Sequence, residues 1–164
     1  MAFQPRDRVV HPAYGVGSIR AVVTESFPGS APREYYQIDM RQGTIWIPVD
    51  DSANTGLRAL TTKAELARWR RVLSAPSVAL NPDARQRRQE LLDRVRTGQI
   101  RAWCEVVRDL TALGRTKPLA DSDSMILRQA KDGLCREWAD ADGISIEQAI
   151  RAVDTLLSRA SASA

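Results

Sequence analysis

Arginine dominates the side chains in this chain that could do chemistry, and the chemistry it suggests is recognition of anions. Eleven arginines fall from Thr61 to Arg115, where 12 Lys+Arg face 6 Asp+Glu; Met1–Leu60 is balanced at 6 against 6, and Thr116–Ala164 carries 6 against 8. The net charge of +4 is therefore concentrated in the middle of the chain. A guanidinium fork suits a pair of phosphate oxygens better than a lysine point charge does. Arg85, Arg87 and Arg88, with Arg94 or Arg96 one or two turns on, form a candidate phosphate-binding surface. The competing reading is a solvated helix face in a chain that uses arginine over lysine.

Groups that make or break bonds are scarce. His11 is the one histidine; it precedes Pro12 at a strand end, with no Ser or Cys nucleophile in a recognisable motif, and reads as a structural imidazole. Gly15-Val16-Gly17 is a fragment of a dinucleotide fingerprint without its third glycine or following helix, so a turn is expected. The Asp50-Asp51 pair points its carboxylates apart in extended chain and is expected in a solvated loop. Cys104 and Cys135 lack CxxC spacing, which suggests buried free thiols rather than a zinc site or a disulfide. The expectation is a binding module: no enzyme, no cofactor, no metal and no small-molecule substrate.

The elements that must position these groups change character near residue 60. Up to there, β-branched and aromatic runs at Val9-Val10, Val16 to Val23, Tyr35 to Met40 and Thr44 to Val49 alternate with turns at Pro12–Gly15, Phe27–Ser30 and Arg41–Gly43. A last short strand near Leu57–Leu60 completes the set. So few short strands can bury a face and protect their edges by curling, which predicts a small SH3-like or Tudor-like barrel over residues 1–60. From 61 to 160 the period is helical, with about five helices. Thr62 caps the first, through Leu66, Trp69 and Leu73, and Ala75-Pro76 ends it. Asn81-Pro82-Asp83 reads as a second start with Asn81 as the cap, running to Gly98. The third spans Ile100–Leu113 and stops at Gly114, the fourth starts at Asp121 or Ser122, and Ser145 to Gln148 is a capping box for the fifth. Residues 161–164 should fray. The fold class is thus α+β in two segregated domains. No apolar run is long enough to span a membrane and the start lacks a signal-peptide layout, so a cytoplasmic location is expected.

Val10-His11-Pro12 with Gly15, Trp46-Ile47-Pro48-Val49-Asp50, Leu73-Ser74-Ala75-Pro76 and Glu105 to Leu110 occur in an order and spacing that resembles the CarD/CdnL family of bacterial RNA polymerase-binding transcription regulators. The resemblance covers nearly the whole chain. It implies a barrel that meets the polymerase β-subunit lobe, partly by strand addition at an exposed edge. On the matching positions the edge involves Thr24 to Phe27 and Thr44 to Pro48, with Glu25, Phe27, Arg33, Arg41, Trp46 and Pro48 as candidate contacts. Trp46 and Phe27 are large enough to anchor such an interface, but strand alternation alone leaves open whether Trp46 covers the core instead. The resemblance further implies a helical domain that contacts promoter DNA at the upstream edge of the bubble, with a tryptophan wedge at the start of its second helix. That position falls on Ala84, which cannot wedge.

The function expected is modulation of open-complex formation by a nucleoid-associated protein that binds polymerase through its barrel. It would hold DNA non-specifically through Arg85, Arg87, Arg88, Arg94 and Arg96 around Ala84. The rival from another class is a protein-interaction adaptor with no DNA role. An RNA-binding or ribosome-associated barrel is a third, disfavoured because the barrel carries no basic excess.

Overall fold

The computed structural model describes residues 2–162, with side chains through Ala160, and the chain divides into two compact units, Met1–Leu60 and Thr61–Ala164. The first is a five-stranded antiparallel sheet: β1 (Arg8–His11), β2 (Gly15–Glu25), β3 (Arg33–Met40), β4 (Gly43–Pro48) and β5 (Arg58–Ala59), in the order β4-β3-β2-β1-β5. Hydrogen bonding leaves β4 and β5 at the two ends. Both ends nevertheless feed one core, because Ile47 of β4 and Leu57 beside β5 join Val9, Ile19, Tyr36 and Ile38 in a single buried cluster. The sheet therefore curls around its apolar face, as expected of so small a β domain. A bulge between Ile19 and Ala21 helps the bend. At Gly17 a Cβ would stand 2.7 Å from the Asp39 carbonyl oxygen and collide with the Met40 thioether, so β2 and β3 can approach here only around a bare Cα.

The turn between β1 and β2 is held by His11, whose Nδ1 accepts the Ala13 N–H at 3.1 Å and whose ring lies 4.8 Å from that of Tyr14. Burial lowers its pKa, which favours the neutral ring that this bond requires. Asp50 and Asp51 sit in a short 3-10 turn, Val49–Asp51, where Asp50 accepts from Arg33 at 2.6 Å and Asp51 from Asn54 at 2.7 Å.

The second unit holds α1 (Leu66–Ser74), α2 (Ala84–Arg96), α3 (Ile100–Thr116), α4 (Asp121–Asp142) and α5 (Ile146–Ala162). Thr62 and Glu65 exchange backbone-to-side-chain bonds in a capping box ahead of α1, and Ser145 and Gln148 do the same ahead of α5. The cap of α2 differs from the expected one. Asp83, not Asn81, accepts from the Gln86 N–H at 2.8 Å, and Asn81 stands outside the helix, its Oδ1 accepting the Asp83 N–H. Helix α3 also runs past its expected stop to Thr116, because Gly114 serves packing: a Cβ there would lie 3.3 Å from Leu119 Cγ. The expected fraying at 161–164 is corrected in part, since the backbone of α5 continues helical to Ala162; positions 163–164 lie outside the described residues. Trp103 and Trp138 are buried with Leu66, Leu73, Leu91, Leu110 and Leu134, whereas Trp69 is half-buried, with Arg68 stacked 5.1 Å from its ring. Among the described residues no helix is long and apolar enough to cross a membrane.

Candidate functional site

Helix α2 carries the arginines proposed to meet phosphate, and its period sorts them. Arg87, Leu91 and Val95 recur at four-residue spacing and form the buried stripe, while Ala84, Arg85 and Arg88 face solvent. Arg87, expected on the phosphate-facing surface, is instead buried and engaged within the helical unit. Its Nε and Nη2 donate to Asp123 Oδ2 at 3.2 and 2.8 Å, and its Nη1 donates to the carbonyls of Asn81 and Pro82 at 3.0 and 3.4 Å. It ties the start of α2 to the first turn of α4. Arg94 is half-committed too, donating to Glu105 at 3.1 Å beside the Arg101–Glu105 pair at 2.8 Å. Burial pushes the Glu105 carboxyl up, but its bonds from Arg101 and Arg94 outweigh this and hold it below the usual range. Arg96 is exposed, with Asp93 3.9 Å away. On α2 the cations left facing solvent without an ion pair among the described residues are Arg85 and Arg88; Arg128 on α4, missed in the sequence, is exposed in the same way.

The segment Cys104–Leu110 lies inside α3 and is almost wholly buried. Asp109 Oδ1 accepts the Val78 N–H at 3.0 Å and Arg108 Nε at 2.8 Å, and Arg108 Nη1 reaches the Val72 carbonyl at 3.3 Å. Through these bonds the motif holds the chain between α1 and α2 in place. Cys104 and Cys135 are buried free thiols; burial raises both pKa values, that of Cys135 to about 11, which leaves them protonated and unreactive. Among the described residues no cluster of three or more His, Cys, Asp or Glu could hold a metal ion.

In the β unit, register settles which way Trp46 points. Tyr36, Ile38 and Ile47 fill the core, so Trp46, opposite Gln37, faces outward and is 40% exposed. Phe27, 47% exposed, meets Tyr35 edge-on at 5.3 Å, and the Trp46 ring lies 6.4 Å from both. Tyr35 is the member that sequence reasoning missed; its place two residues from Gln37, on the outward face of β3, was the available signal. Pro48 pairs in register with Tyr35, and Glu25 with Arg33, so these four gather at one end of the sheet beside Phe27 and Trp46. Arg41 does not join them. It sits in the β3–β4 hairpin turn, at the opposite end of both strands. Two backbone edges flank the aromatic cluster: among the described residues β4 pairs only with β3, and β2 beyond Ile19 has no partner on its β1 side.

Comparison with known proteins matches residues 3–61 to the CarD-like/TRCF RID domain and residues 69–154 to the CarD C-terminal domain. The chain is also 30% identical over 149 residues to "Putative transcription factor YdeB" of Bacillus subtilis (strain 168), an alignment covering 89% of this chain and 96% of that protein.

Proposed function

The chain belongs to the CarD family of transcription regulators, and from that premise we propose that it modulates open-complex formation through two surfaces on one chain. Residues 1–60 bind the β subunit of RNA polymerase, and residues 61–160 hold upstream promoter DNA by its phosphates. The observation that carries this reading is the exposed pair Phe27 and Trp46, packed over the buried Tyr35 beside two strand edges with no partner among the described residues. Such edges supply backbone hydrogen bonds to an incoming strand, while the aromatic side chains supply the desolvated centre of an interface. On the helical side Arg85, Arg88 and Arg96 remain to neutralise phosphate. Ala84, exposed at the first position of α2, offers no wedge, so DNA binding is salt-sensitive and indifferent to sequence. Because the two surfaces share one chain, a weak DNA contact gains effective concentration once polymerase is bound.

The adaptor reading keeps one specific observation in its favour: the withdrawal of Arg87 into the helical core thins the cationic face. Titration of labelled polymerase core and of labelled upstream duplex separates the two readings. Trp46→Ala is expected to weaken polymerase binding by roughly 30-fold, about 2 kcal/mol, and to leave DNA binding unchanged. Arg85→Glu/Arg88→Glu is expected to leave polymerase binding intact while lowering the log–log salt slope for DNA by about 2. A double variant that binds DNA with the wild-type slope would hand the function to the adaptor reading.

A further inference from the structure

Beside the seam where α2 packs on α4 lies an open groove of about 690 Å³. Its apolar surface comes from Leu92, Ile126 and Met125, the last of which is 68% exposed, more than any other large hydrophobic side chain described. Arg88 rises from the α2 wall and Arg128 from the α4 wall, both without an ion pair among the described residues. The one carboxylate at the rim, Asp132, is already engaged by Arg136 at 3.0 Å. On α4 the lining runs from Ser122 to Asp132, roughly 15 Å of helix axis. The buried Arg87–Asp123 pair joins the two walls near the Ser122 end and fixes their spacing there.

We propose that this groove docks an acidic amphipathic helix of a partner protein. An apolar trough about ten helical residues long, open along one side, matches the narrow apolar face of one helix. Methionine suits the task because its unbranched thioether adapts to different side chains. The unpaired guanidinium on each wall sets the chemistry of the flanks: carboxylates one turn apart on either side of the apolar stripe can pair with Arg88 and Arg128, whereas a basic helix meets two uncompensated like charges. Duplex DNA is the less suitable occupant, because its phosphates can meet the two guanidinium groups but leave the apolar trough and the exposed Met125 without a partner. This partner is distinct from those of the function proposed above, and its test does not depend on them.

The probe is a fluorescein-labelled helical peptide of about 14 residues, with Leu at helical spacing on one face and Glu on both flanks, titrated with the full chain by anisotropy. A matched peptide with Lys in place of Glu is the control. Saturable binding is expected for the acidic peptide, about tenfold or more weaker for the basic one. A similar loss is expected for Met125→Asp and for Arg88→Glu/Arg128→Glu, both at exposed positions, with thermal melts confirming an intact fold. Absence of saturable binding, equal affinity for the two peptides, or insensitivity to Met125→Asp overturns the proposal. So does the finding that Met125→Asp and Arg128→Glu weaken binding of a short duplex while the peptide does not bind.

Discussion

Arg87→Ala is expected to lower the stability of the helical unit by about 3–5 kcal/mol, the largest loss of any single arginine in the cluster. Both side chains of the Arg87–Asp123 pair are almost fully buried, and the guanidinium also satisfies the carbonyls that lead into α2. Removing it leaves the Asp123 carboxylate buried, with Oδ1 already lacking a partner among the described residues and Oδ2 newly deprived of two donors. The cost is that of an uncompensated charge rather than of one lost hydrogen bond. Urea unfolding of wild type, Arg87→Ala, Asp123→Ala and the double variant Arg87→Met/Asp123→Leu provides the check. The double variant, which removes both charges and keeps the volume, is expected to recover much of the loss. Arg85→Ala, at an exposed neighbouring position, is expected to change stability by less than about 0.5 kcal/mol. If Arg87→Ala proves equally harmless and instead flattens the salt dependence of DNA binding, Arg87 is a phosphate contact after all.

The contrast between Arg85 and Arg87 marks where sequence reading reached its limit. Counting charge treats all arginines alike, so the cluster looked uniform. The helical period, applied to Arg87, Leu91 and Val95, was the unused signal that puts Arg87 on the apolar stripe. Its partner was illegible, because Asp123 lies 36 residues away on another helix. Local signals fared best where both partners are close in the chain: the capping boxes Thr62–Glu65 and Ser145–Gln148 bond as their spacing demands. They failed where two residues could do the same job. Asn81 and Asp83 are both competent caps, and the choice of Asp83 accompanies an Arg87 that draws on the Asn81 and Pro82 carbonyls. Alternation in β4 separated Trp46 from Ile45 and Ile47 but could not say which face was inside. That needed the pairing with β3, where Tyr36 and Ile38 claim the core. The gathering of Phe27 and Tyr35 around Trp46 is likewise a matter of cross-strand register.

Asp109→Ala is the second substitution expected to cost about 3–5 kcal/mol, and it links stability to the start of α2. The carboxylate is buried, accepting from the neighbouring Arg108 and from the amide of Val78 in the segment that leads to α2. Its loss leaves a buried guanidinium held, among the described residues, by the Val72 carbonyl, and it releases the chain just ahead of the Asn81–Asp83 turn that starts α2. Asp109→Asn, which keeps an acceptor for Val78 but gives up the charge facing Arg108, is expected to fall between wild type and alanine. Urea unfolding reads the global term, and hydrogen exchange reads the local one, with the Val78 amide expected to lose protection in the alanine variant before the helices do. A Val78 amide as protected as in wild type would refute the pinning role. On this account the segment Glu105 to Leu110 sets where α2 begins, and so where Arg85 and Arg88 stand.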